Sequence, residues 1–298
     1  MARPTGIQFG ANIFGVGALA DPATLGEVAR LAEQLGYHSV FVADHVIMPR
    51  ALASKYPYSR DGGFPYDPDR NWLDPMVALG FLAGRTTAIR IGTSVAVLPM
   101  RHPIVTAKQV ATADHLSGGR VIFGVGIGWM AEEFALLGES FSDRGRRMDE
   151  YLELVKTLWT ETNPTFAGQY FQVKDCAITP KPVQKPHVPL WIGGDSPAAL
   201  RRAARFGDAW HSAGTSLADL PGKLRILDEA LDAAGRRRED LLVSAFPTDR
   251  FTLDVVRQLA AHGVDHVMVP VFSFDADKVK QRLEQIATQV IAPYRRGA

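Results

Sequence analysis

A chain of 298 residues, 46% hydrophobic and 22% charged, has the make-up of a globular protein long enough to bury a large core. Its 33 Lys and Arg against 32 Asp and Glu leave a net charge of +1, which provides no general field for nucleic acid or an anionic membrane. One cysteine, Cys176, excludes an internal disulfide framework and a cysteine-based metal cluster, and with neither an apolar leader nor a run of about 18 apolar residues the expected location is cytoplasmic.

Strand-like and helix-like segments alternate along the chain. Ile7–Asn12 reads as a short strand and Ala23–Gln34 as a helix closed by Gly36. Ser39–Ala43 is an unbroken apolar run, the pattern of a strand covered on both faces. Residues 46–72 break the rhythm; a helix over Asp74–Ala83 and a third strand over Ile89–Leu98 restore it. Pro103 suits the first turn of a helix whose apolar stripe is Ile104, Ala107, Val110, Ala111 and Leu116, stopped by Gly118–Gly119. The fourth strand begins at Val121–Phe123 and runs into Gly124-x-Gly126-x-Gly128. Arg144–Thr160 is a long amphipathic helix with Met148, Leu152, Val155 and Trp159 on one stripe. After a Pro-rich connection come Leu190–Gly194, Ala198–Phe206, Ala209–Ala213, Leu220–Ala234, Leu241–Pro247, Leu253–His262, His266–Val271 and Ala276–Ile291. Eight β–α units without linker or repeat predict an α/β fold, a (β/α)8 TIM barrel forming one domain over residues 1–298, with insertion loops at the C-terminal face of the strands.

In such a barrel the chemistry gathers where the strands end. That position selects Asn12, Asp44–His45, Thr93–Ser94–Val95, Gly126–Trp129, Gly193–Ser196, His211 and Pro270. The glycine run lacks the GxGxxG spacing and the strand context of a Rossmann site, which leaves packing at a crowded barrel mouth or close passage of a planar ring or phosphate. In Trp191-Ile-Gly-Gly-Asp-Ser-Pro197 a strand ends at two glycines before a capped helix, equally an ordinary helix start or an anion site. His45, at a strand end, suits acid–base work, contact with a bound group, or a loop cap. The one His-x-x-x-His spacing among the eight histidines, His262 and His266, crosses Gly263 from a helix into a strand and does not put both rings on one helix face, so no metal is expected. SxxK, GxSxG and P-loop patterns are absent, which removes nucleophilic hydrolase chemistry. Residues 46–72, with Tyr56, Tyr58, Phe64, Tyr66 and Trp72, read as a lid or as packing, and Trp129 stands at the end of the glycine run.

The chain resembles the bacterial luciferase-like monooxygenase superfamily, in particular its branch of oxidoreductases using coenzyme F420, a 5-deazaflavin. The resemblance is carried by Asp44-His45, Ile91–Val95, Pro99-x-Arg-His-Pro103, Leu116–Val121 with the glycine run to Trp129, Glu132-Glu-Phe134, Arg144–Arg147, Pro180–Gln184, Trp191–Gly194 and Gly207–Trp210. It implies a flavin or deazaflavin at the strand ends. Ser94–Val95 would lie behind the ring as a non-prolyl cis peptide, and Gly193, Gly194 and Ser196 would hold the phosphate. Asp44, Gly126 and Gly128 would line the cofactor site, and His45 would be the catalytic polar residue. Tyr56, Tyr58, Phe64, Trp72 and Trp129 would face the substrate. Two positions depart from the sugar-phosphate dehydrogenases of the branch: Pro49 stands where they carry Trp, and Trp129 where they carry Glu. Glu132 and Glu133 are expected on a helix surface.

The function expected is hydride transfer between F420 and a small organic substrate. The alternatives are an FMNH2-dependent monooxygenase fed by a separate reductase, and a non-catalytic flavin-binding barrel. Arg50, Lys55, Arg60 and Arg70 are candidates for a groove that takes the acidic F420 tail. The resemblance also implies a homodimer, with neither nucleic acid nor membrane as partner.

Overall fold

A computed structural model of the chain describes residues 3–57, 59, 61–64, 67–271 and 273–297. Eight parallel strands close into a barrel: β1 (Gln8–Phe14), β2 (Ser39–Val42), β3 (Arg90–Thr93), β4 (Val121–Gly126), β5 (Leu190–Gly193), β6 (Ala209–His211), β7 (Leu242–Ala245) and β8 (His266–Val269). Neighbours pair in chain order, and β8 returns to β1 with Gln8 opposite His266 and Gly10 opposite Met268. The helices that follow them are α1 (Pro22–Gln34), α2 (Pro75–Arg85), α3 (Pro103–Leu116), α4 (Arg144–Thr160), α5 (Pro197–Phe206), α6 (Leu220–Ala233), α7 (Leu253–Ala261) and α8 (Ala276–Ile286). The predicted (β/α)8 barrel is the fold observed.

Local chemistry explains the helix starts. Asp21, Asp74, Ser196, Thr252 and Asp275 each accept a backbone N–H of the following turn, and three of these caps precede a proline whose missing N–H costs nothing there. Two layers of core result. One lies between the strands and the helices, and a second fills the lumen with Phe41, Ile122, Trp191, Ala209, Leu242 and Met268. A Cβ at Gly92 would sit 2.7 Å from the Phe41 ring, so glycine there lets a phenylalanine fill the lumen.

Three elements differ from the sequence reading. The third strand does not run unbroken to Leu98: it stops at Thr93, the Ser94–Val95 peptide is cis, and pairing resumes for Ala96–Val97 against Val125 and Gly126. The last helix leaves α geometry at Ala287–Ile291 for one wider turn and then continues over Ala292–Arg296. A short helix, Ala131–Leu136, and a small hairpin pairing Phe166–Ala167 with Gln172–Val173 are added on the connections around α4. Among the described residues no helix is long and apolar enough to cross a membrane.

Candidate functional site

The ends of β2, β3, β4, β5 and β6 bring the candidate residues to one mouth of the barrel. Asp44 is almost wholly buried, and both of its oxygens are engaged. Oδ2 accepts the Val97 N–H at 2.8 Å and Arg101 Nε at 3.0 Å, and Oδ1 accepts Arg101 Nη2 at 2.6 Å. Arg101 also pairs with Asp74, the cap of α2, at 2.8 Å. This chain of charges fixes the segment after the cis peptide to the end of β2.

The glycines around that segment have a clear steric reason. A Cβ at Gly124 would collide with the Thr93 carbonyl, one at Gly126 would lie 2.7 Å from Val95 Cγ2, and one at Gly193 would lie 2.8 Å from Val95 Cγ1. Space left by the glycine run is thus taken by the bulge itself, which sets Val95 between β4 and β5. Gly128 has φ +78° and would meet Val97 and Phe134. Arg144 donates to the Gly128 carbonyl and holds the end of the run in place.

His45 is the hub of the site. Its Nδ1 lies 2.8 Å from Glu133 Oε2, while Glu133 Oε1 accepts the Val46 N–H at 2.6 Å and the Ile47 N–H at 3.3 Å. Glu133 is therefore not on a helix surface, as its spacing suggested, but 1% exposed at the start of the Ala131–Leu136 helix. The expectation fails because a charged side chain in a short helix ordinarily faces water, whereas here two backbone donors and an imidazole replace the lost hydration. Glu132 is likewise turned inward, onto the loop, where Oε1 accepts the Ala53 and Ser54 N–H groups at 2.8 and 2.9 Å. Burial opposes its ionisation, but those bonds prevail and hold the carboxyl down to about 2.

Aromatic rings wall this hub. Trp72 and Trp129 stand edge-on to His45 at 4.8 and 6.3 Å, Phe64 is tilted against it at 5.6 Å, and Tyr56 packs on Phe64 and Trp129 at 5.0 and 5.1 Å. Tyr56, Phe64, Trp72 and Trp129 are thus brought together; Tyr58, Arg60 and Tyr66 lie outside the described residues. The Trp72 indole N–H is buried and finds no acceptor among the described residues. Pro49 and Trp129 stand at the two positions expected to depart from the branch, and the fold sets a different indole and a carboxylate, Trp72 and Glu133, beside His45.

At the end of β5, Gly194 takes φ +116° and Ser196 Oγ accepts the Ala199 N–H at 3.2 Å, capping α5. Asp195 turns away from that helix start, toward the Ala213 N–H at 3.3 Å and Lys223 Nζ at 3.4 Å. Burial raises its carboxyl, and Lys223 works against that. The proposed basic groove is not a free one: Arg50 is paired with Asp69, and Arg70 with Asp67 and the Phe274 ring. Those arginines do not by themselves single out an acidic tail. Ser94 Oγ lies 2.9 Å from His211 Nε2, a contact invisible in the sequence because β3 and β6 are not neighbours.

The barrel thus carries a cis bulge after its third strand, a glycine-lined fourth strand and a histidine just past the end of its second. The profile of the luciferase-like monooxygenase family matches residues 7–296, and the chain belongs to that family. An uncharacterised protein of Mycobacterium tuberculosis is 34% identical over 242 residues, 81% of this chain and 83% of its own. An F420-dependent glucose-6-phosphate dehydrogenase of Microbacterium testaceum is 35% identical over 225 residues, 74% of this chain and 62% of its own. Among solved structures, the coenzyme F420-dependent tetrahydromethanopterin reductase of Methanopyrus kandleri superposes with a TM-score of 0.76 at 17% identity, over 97% of this chain and 100% of its own. The monooxygenase RslO1 of Streptomyces bottropensis gives 0.74 at 21%, with the same coverage. The two solved structures share the fold.

Proposed function

We propose that the chain is an oxidoreductase that uses F420 and moves a hydride between the deazaflavin and a small organic substrate. The observation that carries this reading is the His45–Glu133 pair set inside an aromatic wall at the strand ends. The names of the Microbacterium relative and the Methanopyrus neighbour agree with it.

The residues present fit a flat tricyclic ring. Val95 is locked by Gly126 and Gly193 into a fixed apolar backing, and Ser94 stands beside it. Gly128 and Gly194 keep the flanking turns slim, Ser196 and the N-terminus of α5 suit a phosphate, and Asp44 braces the bulge. When bound, F420 supplies a two-electron hydride donor or acceptor at its C5. The protein's part is positioning and proton handling. Glu133 accepts the His45 Nδ1–H, which leaves Nε2 to take a proton from a substrate heteroatom or give one to it. The unpaired Trp72 N–H beside it suits the same oxygen, because a buried donor gains most from an acceptor it lacks. Tyr56, Phe64 and Trp129 close the space against water.

Cofactor titration of the purified protein tests the reading, comparing F420 with FMN by fluorescence quenching. Binding of F420 with little affinity for FMN is expected. Tight FMN binding without F420 binding would overturn it in favour of a reduced-FMN monooxygenase, and binding of either without turnover would indicate an inert flavin-binding barrel.

A further inference from the structure

The barrel lumen holds an unbroken line of polar groups that the hydride chemistry above does not use. His38 Nδ1 lies 3.2 Å from Ser39 Oγ, which lies 2.9 Å from His266 Nε2. His266 Nδ1 lies 2.8 Å from Ser244 Oγ, and Ser244 Oγ lies 2.8 Å from His211 Nδ1. His211 Nε2 reaches Ser94 Oγ at 2.9 Å. Ser39 and His266 open β2 and β8, Ser244 is within β7, His211 ends β6, and Ser94 follows β3. The line therefore climbs the barrel from its N-terminal end to the proposed ring seat.

Its surroundings keep it dry and continuous. Ser39, Ser244 and His266 are fully buried and His211 nearly so, with Phe41 and Trp191 packed on both imidazoles. His38 is partly exposed, at the far end. A Cβ at Gly10 would come within 2.5 Å of His266 Nε2 and 2.7 Å of Ser39 Oγ, so a glycine keeps that link clear. Apolar side chains would fill the same volume without burying four polar groups.

We propose that Ser94, His211, Ser244, His266, Ser39 and His38 form a proton relay between the ring seat and the opposite end of the barrel. Every member both donates and accepts, and the line has two uniform senses. In one, Ser94 O–H donates to His211 Nε2, His211 Nδ1–H to Ser244, Ser244 O–H to His266 Nδ1, His266 Nε2–H to Ser39 and Ser39 O–H to His38. A proton arriving on Ser94 Oγ drives each of these one step along, and His38 releases its Nε2 proton to water. One proton has moved, no group is left charged, and every bond has reversed its sense. Burial holds His211 near 4 and His266 well below its ordinary value, so each ring carries one proton at neutral pH. The use of the relay rests on the F420 reading: besides the hydride, the reduced deazaflavin would carry a ring N–H proton that must leave once the hydride has gone to substrate, and Ser94 at the ring seat would take that proton while His45 serves the substrate oxygen, so the electron pair never enters the line.

The test begins with the cofactor-free protein labelled with 15N-histidine. Two-bond 1H–15N spectra are expected to show His211 and His266 neutral and in matched senses, Nδ1–H on one with Nε2–H on the other. Nδ1–H on both, or Nε2–H on both, would place a standing break at Ser244 and overturn the proposal. Ser244→Ala, with Ser39→Ala as a second cut, is expected to uncouple the two tautomers and leave F420 affinity unchanged. In the loaded enzyme either cut should slow hydride transfer at least tenfold and change its solvent deuterium effect; unchanged turnover would overturn the relay. Failure to bind F420 would sink the cofactor reading alone, since the tautomer result stands apart from it.

Discussion

His45 Nδ1 and Glu133 Oε2 lie 2.8 Å apart although 88 positions separate them in the chain. The contact fixes which imidazole nitrogen is committed and which is available. Glu133→Gln keeps the shape and an acceptor for Val46 but removes the charge, and we expect kcat to fall about 10²-fold with KM little changed. His45→Ala should cost about 10²–10⁴-fold. Steady-state kinetics with the cofactor identified by titration checks both, and wild-type turnover by the Gln variant would separate His45 from its carboxylate.

Glu132 ties down the loop after β2 rather than His45. It accepts the N–H groups of Ala53 and Ser54, and Ser54 Oγ in turn accepts from Ala131. Glu132→Ala should leave thermal stability within about 1 kcal/mol of wild type, because these donors lie near water that replaces the carboxylate. Limited proteolysis is the sensitive readout, and cutting within residues 46–57 should become faster. An unchanged cleavage rate would show that this loop is held elsewhere.

Asp44 and Arg101 make the opposite case, a pair whose partners are buried together. The side chains are 0% and 12% exposed. Asp44→Asn leaves Arg101 with only Asp74 beside it, and breaking such a pair costs about 3–5 kcal/mol. Urea denaturation should report a loss of that order, and a loss under about 1 kcal/mol would show that Asp74 suffices.

Gly193→Ala tests whether the bulge is a fixed backing. The new Cβ would lie 2.8 Å from Val95 Cγ1. Overpacking of this kind costs about 1–3 kcal/mol. We expect cofactor affinity to fall about tenfold or more while the protein stays folded. Gly84→Ala in α2, where nothing lies within 4 Å, is the control and should be neutral or mildly stabilising. Equal affinities in the two variants would remove Val95 from the ring seat.

The barrel was legible because its signals are local. Pro103 and Pro197 start helices, Val40–Val42 is apolar throughout, and the strand ends then point to His45 and Ser94 without any knowledge of contacts. Most of the aromatic wall was legible as a class of residue within one long loop, with Trp129 standing at the end of the glycine run. Glu133 was not, because nothing in a Glu-Glu-Phe step says which glutamate reaches His45 when the partner lies in the β2–α2 connection. The luminal line was illegible for the same reason. Ser39, Ser244 and His266 occupy inward strand positions that read as ordinary alternation, and only barrel closure makes them neighbours.

The buried histidines also set a pH dependence of stability. The folded protein keeps His211 near 4 and His266 well below its ordinary value of 6.5, in both cases first through burial. Burial, assisted by the charge of Arg90, holds His38 near 4 as well. An unfolded chain protonates these rings near 6.5, so between about pH 6.5 and 4 it binds more protons than the folded one, and stability falls as pH falls. Each ring contributes about 1 kcal/mol per pH unit in that window, less for His38, which is partly exposed. Carboxylates enter only below about 4.5. Urea denaturation at pH 6 and pH 5 should therefore differ by roughly 2–3 kcal/mol with the m-value unchanged. His38→Gln should reduce the difference without abolishing it. Equal stability at the two pH values would mean that the luminal histidines are protonated in the fold.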